Sequence, residues 1–254
     1  MKRLTEAWFE FKGVKSSDMG VLLRQMPTRT LAARNYTRTR VAGRDGSLAL
    51  GDGCYGDVSV KIECSVPDAA KLGAVLSWLS GSGALRFSDE PNLTYDASVE
   101  KEYSRASILN RCEGQRFTVT WTCAPIRRLY PAASDITITS SGTSFTAQGT
   151  YFALPKLAIY GSGAFSVTIS GGGHISSMFF TGVPSEGIVV DSELMDALTM
   201  DGAGLLNRCV LSNSDDFFRI WPGANTLTWG LGSGDEEESG SITKIVLTPR
   251  WRWL

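Results

Sequence analysis

The single histidine of the chain, His174, stands in the run Gly171-Gly172-Gly173-His174 and frames what chemistry is open to this protein. Zinc centres, Ser-His-Asp triads and Cys-His dyads all need an imidazole held by a partner. No acid or thiol stands at a telling distance from His174, which reads as a solvated turn residue. The five cysteines, at 54, 64, 112, 123 and 209, are odd in number and scattered. They form no CxxC pair for zinc and no disulfide framework. Cys64 and Cys123 fall on the apolar phase of strand-like runs and are expected to be buried free thiols. Gly161-Ser162-Gly163 begins no GxGxxG, because Ser166 occupies the third glycine's place, and GxSxG, GxxxxGK[ST] and HExxH are absent. The run Asp235-Glu236-Glu237-Glu238 could hold a cation, but its Gly/Ser flanks favour a self-repelling solvated loop. With 26 acids in the chain, a carboxylate pair for glycoside cleavage is not discernible. The residues suggest no enzyme, cofactor or metal.

One charged segment is different. Arg24, Arg29, Arg34, Arg38, Arg40 and Arg44 follow one another with no acid before Asp45. The segment is polar, weakly periodic and too poor in apolar side chains to build its own core. It reads either as a solvated loop or as an arm that completes its fold against a neighbouring subunit, its arginines pairing acids across the contact. Nucleic-acid binding ranks third, since aromatic residues do not interleave with the basic ones.

The elements around these residues are strands. Val58, Val60, Ile62, Cys64 and Val66 alternate with polar residues, as do Phe117, Val119, Trp121 and Cys123. Phe165, Val167 and Ile169 repeat the pattern, and so do Ile245, Leu247, Pro249, Trp251 and Trp253. Period-2 alternation broken by Gly, Ser, Asp and Asn clusters specifies an all-β protein. One helix is expected over residues 68–80, capped by Asp68, with Leu72, Val75, Leu76 and Leu79 on one face and Gly81 as its left-handed stop. The composition shift at Tyr130-Pro131-Ala132-Ala133-Ser134 marks a boundary. It gives a first domain, 1–132, with the arm (24–50) and the helix, and a second domain, 133–254, of short strands. Within the second, Asp201-Gly202 signals a hairpin between 188–200 and 205–211, and 191–198 reads as strand rather than helix. With 43% hydrophobic and 20% charged residues over 254 positions, each half can bury a core. The net charge of −1 gives no general pull toward nucleic acid or membrane. No run reaches the roughly 18 apolar residues of a membrane span, and the N-terminus lacks a signal-peptide core, so assembly in the cytoplasm is expected.

Several phrases, taken in order, resemble the distal tail protein family of siphophages. They are Phe11-Lys12-Gly13-Val14-Lys15-Ser16-Ser17-Asp18-Met19-Gly20-Val21, Val41-Ala42-Gly43-Arg44-Asp45-Gly46-Ser47-Leu48, and Trp78-Leu79-Ser80-Gly81-Ser82-Gly83 leading into Leu85-Arg86-Phe87. Val190-Asp191-Ser192-Glu193, Pro222-Gly223-Ala224-Asn225-Thr226-Leu227 and Pro249-Arg250-Trp251-Arg252-Trp253-Leu254 continue the pattern. The resemblance implies two linked β-sandwiches, the first forming a homo-hexameric baseplate ring and the second galectin-like in shape. It further implies a virion tail location, with the tail tube protein on one side, a tail-tip (tail-associated lysin-like) protein on the other, and receptor-binding proteins outside. DNA would pass through the ring without being gripped. The alternative is a carbohydrate-binding module for host adhesion, stacking sugars on Trp221, Trp229, Trp251 or Trp253. Trp251 and Trp253 share a phase with Ile245 and Leu247, which favours a core or interface position.

Overall fold

The computed structural model describes residues 7–99, 104–106, 115–213, 217–231 and 240–254. Among the described residues the strands pair antiparallel wherever their register is defined, apart from one isolated parallel bridge, and the chain divides into two compact units between Tyr130 and Pro131. The protein is all-β, with one short α-helix among the described residues.

In the first unit the strand order is Val14–Lys15, Phe9–Phe11, Gly81–Phe87, Glu90–Val99, Gln115–Cys123, Val58–Val66, with Leu22–Leu23 and Thr28–Arg29 both laid along the far side of Val58–Val66. Val58–Val66 and Gln115–Cys123 pair over nine residues, Val60 opposite Trp121 and Cys64 opposite Phe117. Both strands carry their apolar phase inward, so this register fixes one face of the core. Trp121 is fully buried and lies within 5.3–6.3 Å of the rings of Phe9, Phe11 and Phe87. Burial pushes the thiols of Cys64 and Cys123 up to about 12, leaving them inert.

The helix closes this core. Asp68 accepts a hydrogen bond from the Ala70 amide at 3.0 Å and caps a 3₁₀ turn, Ala69–Lys71, which runs into the α-helix Leu72–Trp78. Leu72, Val75 and Leu79 are buried, Leu76 half-buried, and the Trp78 indole donates to the Phe11 carbonyl at 3.0 Å. A seven-residue helix is marginal alone, so these contacts are what hold it. Gly81 has φ +75° as expected, but it opens the next strand rather than ending the helix.

The second unit does not consist of short strands only. It is organised on Lys156–Gly171, sixteen residues long. The first part pairs with Ile188–Asp191 and Ser241–Thr248, the second with His174–Val183 and Gly223–Leu231. The strand thus passes from one sheet to another, bending at register breaks between Tyr160 and Gly161 and between Gly163 and Phe165. Glycine permits the bend: a Cβ at Gly161 would collide with the Ser241 carbonyl, and Gly163 adopts φ +74°. Gly161-Ser162-Gly163 is therefore a sheet corner, not a phosphate loop.

The expected hairpin around Asp201-Gly202 is also displaced. Strands Ile188–Asp191 and Asp196–Leu198 pair with each other, and the chain reverses through 192–195. Asp201-Gly202 makes a second, smaller turn closed by a Leu198–Leu205 bridge. Residues 191–198 are thus strand, turn and strand, because Asp191 uses its side chain to organise the reversal. Its carboxylate accepts the amides of Glu193 and Leu194 at 3.0 and 3.3 Å and a bidentate pair from Arg250 at 2.6 and 2.8 Å. Burial alone would raise the Asp191 carboxyl, but Arg250 and the two amides outweigh it and hold it below the usual carboxylate range.

A depressed folded value means the contribution is fully present above the unfolded value, near pH 4, and is lost as pH falls through the folded one. Asp89, held low in the first unit by Arg29, follows the same rule. Thermal melts should show stability falling below about pH 4, and Asp191→Asn should flatten that acid limb in the second unit. An unchanged slope in the variant would show that the pair is not coupled to folding.

Candidate functional site

The arginine-rich segment is a ribbon. Arg34–Arg40 and Ser47–Tyr55 form a two-stranded sheet of their own, and every residue in it except the half-buried Tyr55 is exposed. A two-stranded ribbon is marginal in water, and among the described residues no further strand extends this one. At the ribbon's root Arg34 lies over the Tyr55 ring and donates to its hydroxyl at 3.3 Å. The register breaks between Arg34 and Tyr36, opposite a tight excursion at Gly51–Cys54 where the Asp52 carboxylate accepts the Cys54 amide at 2.8 Å.

Beyond that break the two faces differ. Tyr36, Arg38 and Arg40, opposite Gly51, Ala49 and Ser47, form a basic face. Thr37 and Thr39, opposite Leu50 and Leu48, form a neutral, partly apolar one. Seven of the fifteen exposed large hydrophobics among the described residues fall between positions 22 and 50: Leu22, Met26, Leu31, Tyr36, Val41, Leu48 and Leu50. Four of them, Tyr36, Val41, Leu48 and Leu50, belong to the ribbon and its turn, while Leu22 lies on the sheet edge beside Val58–Val66.

The six arginines do not act alike. Arg38, Arg40 and Arg44 are exposed and meet no acid among the described residues. Arg24 is exposed at the ribbon's approach and Arg34 packs on Tyr55. Arg29 is used inside its own unit, donating to both Asp89 oxygens at 2.7 and 2.8 Å and lying 4.8 Å over the Phe87 ring. Alternation within the ribbon, together with register, separates the basic from the apolar face; the sequence segment read as a whole showed only polarity.

The other chemistry-bearing residues are dispersed. His174 is exposed, as expected, but stacks on Trp221 at 3.8 Å with the rings 14° apart. Among the described residues no three His, Cys, Asp or Glu side chains are grouped as metal ligands. The acidic run 235–238 and Cys112 lie outside the described residues. An open cleft of about 420 Å³ in the first unit is lined by Asp57, Asp96, Ser82, Ser98 and Thr122, beside the buried Cys123. No described helix is long and apolar enough to cross a membrane.

The tryptophans named for sugar stacking are placed unfavourably for it. Trp251 is buried, Trp229 shares the inward phase of Leu227 and pairs with buried Val167, and Trp221 is covered by His174 on one side and Phe152, 5.4 Å away, on another. Trp253 is half-buried.

No family model matches the sequence, and no curated protein matches it. Among solved structures, the chain is similar to the Dit protein (gp 19.1) of phage SPP1, described as a paradigm of hub adsorption apparatus in Gram-positive infecting phages. The identity is 14% and the TM-score 0.69, with 98% of this chain and 99% of that one covered. Over nearly its whole length, both units included, this chain has the fold of that phage hub protein.

Proposed function

We propose that this chain is a structural subunit of a bacteriophage tail tip. Its first unit assembles into a hexameric ring that acts as the hub between the tail tube and a tail-tip protein, and DNA passes through the opening. Its second unit, galectin-like in shape, lies outward and offers attachment to receptor-binding proteins. What supports this reading most is the end-to-end likeness in fold to a phage hub protein, the two units matched in one alignment. The exposed ribbon adds a second support, since a two-stranded hairpin with Arg38, Arg40, Leu48 and Leu50 exposed would gain stability from contact with another chain. Arg38, Arg40 and Arg44 are the arginines best placed for that contact, with Arg24, Arg29 and Arg34 setting the ribbon's root.

The reading predicts that purified protein assembles at micromolar concentration into a species of six 27.5 kDa chains or multiples of it, resolved by mass photometry. A monomer at every concentration and salt tested would remove the ring hypothesis.

A further inference from the structure

Three Asp-Gly sequences occur in the chain, at 45–46, 52–53 and 201–202, and all their residues are exposed. An aspartate followed by glycine is open to one intramolecular reaction, because glycine leaves its amide nitrogen unhindered and lets the backbone turn toward the side chain. The glycine nitrogen attacks the aspartate Cγ. An N–Cγ bond forms, and the carboxyl hydroxyl leaves with the amide proton as water, giving a cyclic succinimide. Water then adds back and opens the ring on either side. One opening restores aspartate. The other leaves isoaspartate, whose main chain runs through Cβ and Cγ and whose α-carboxylate becomes the side chain. Only water is released and taken up again.

The fold treats the three sites differently. The Asp52 carboxylate accepts the Cys54 amide at 2.8 Å and the Asn35 side-chain amide at 3.4 Å. The Asp201 carboxylate accepts the Thr199 hydroxyl and, at 3.0 Å, the Ala203 amide, and these hold its carboxyl below the usual carboxylate range. In both, the side chain is committed to the amide two residues on. It cannot swing against the amide of the next residue without giving up a charge-assisted hydrogen bond. Asp45 has no such hold, since its carboxylate meets no donor or cation among the described residues. The Arg44 amide closes its turn on the Val41 carbonyl, which leaves the Asp45–Gly46 peptide group outside that tie. Gly46 lies at φ +79°, and a Cβ built on it would meet nothing within 4 Å.

We infer that Asp45–Gly46 is, of the three, the site at which the folded chain converts aspartate to isoaspartate. The product adds a carbon to the backbone of the turn that joins Arg34–Arg40 to Ser47–Tyr55 and relocates a carboxylate beside Arg44. The inference concerns the unassembled chain and does not depend on what the ribbon contacts. In the test, the full chain is kept folded and dilute enough to be monomeric by mass photometry, in mildly acidic buffer above the acid limb of unfolding, and sampled over weeks. Samples are digested with endoproteinase Asp-N, which cuts before aspartate but not before isoaspartate, and electron-transfer fragmentation locates the altered residue in the uncut peptides. Isoaspartate at 45 should accumulate at least roughly tenfold faster than at 52 or 201, the factor that one hydrogen bond to a carboxylate represents when it must be broken first. Asp45→Glu should abolish the signal with the melting temperature unchanged, because the longer side chain closes the ring poorly. In urea, where no carboxylate is held, the ranking should collapse. Equal accumulation at the three sites of the folded chain, a lead for 52 or 201, or no isoaspartate at 45 would overturn the inference. A lead for 45 that persists undiminished in urea would overturn it too, because flanking sequence and not the fold would then set the preference.

Discussion

Replacing residues 35–54 by Asn-Gly is expected to leave a folded protein that no longer assembles. The deletion is placed where the geometry allows it. Arg34 and Tyr55 are directly paired across the ribbon, so a two-residue type I′ turn can join them without moving either strand. None of the excised residues is buried, and no excised side chain belongs to the aromatic and aliphatic core of the first unit. Folding stability should therefore change by no more than about 1 kcal/mol, since the removed segment adds backbone entropy cost without apolar burial. Assembly should weaken by at least roughly 100-fold, as whole interface elements carry more than any single side chain. A shorter cut over Met26–Val41 would be less informative. It removes the Thr28–Arg29 strand and the Arg29–Asp89 pair, which hold the sheet edge, and would confuse unfolding with loss of contact. Normal assembly by the 35–54 variant, measured by mass photometry beside its melting curve, would place the interface elsewhere.

The second large effect is in the core. Trp121→Ala should destabilise the first unit by about 4–5 kcal/mol and lower its melting temperature by more than about 10 °C. The indole is fully enclosed by Phe9, Phe11 and Phe87 and sits opposite Val60, so the surroundings cannot collapse into the space without breaking sheet register. Trp121→Phe should cost far less, within about 1 kcal/mol of wild type. The Trp121 indole N–H is sealed from water and meets no acceptor among the described residues. Removing that orphaned donor returns its desolvation penalty, which offsets the smaller volume of phenylalanine. Differential scanning calorimetry of both variants separates the two contributions. If Trp121→Phe were as damaging as Trp121→Ala, the donor would have to be satisfied in solution.

How far the molecule was legible in its sequence depends on the range over which each feature is decided. Alternation in 58–66 and 117–123 named the buried phase of both strands correctly, because side-chain direction in a strand is a local property with period two. The helix was legible for the same reason, its Asp68 cap included. The Lys156–Gly171 strand was not read at its full length, because glycines that usually end a strand here allow it to bend from one sheet into another, and only the partner strands reveal that. The Asp201-Gly202 signal was a turn, but not the one that reverses the hairpin. Turn chemistry was overridden at 192–195 by Arg250, fifty-nine residues away from the Asp191 it holds.

By itself the sequence determined that the protein is all-β, that a helix follows Asp68, and that an acid-free run of arginines interrupts its first half. These follow from local periodicity and residue type, which need no knowledge of distant neighbours. Only the tertiary structure decided which of those arginines are spent within the chain and which stay unpaired. Arg29 finds Asp89 sixty residues on, whereas Arg38, Arg40 and Arg44 stand on a ribbon with which no other described strand pairs. A charge is free or satisfied according to what folding brings within a few ångströms of it, and that proximity is a property of the assembled sheet.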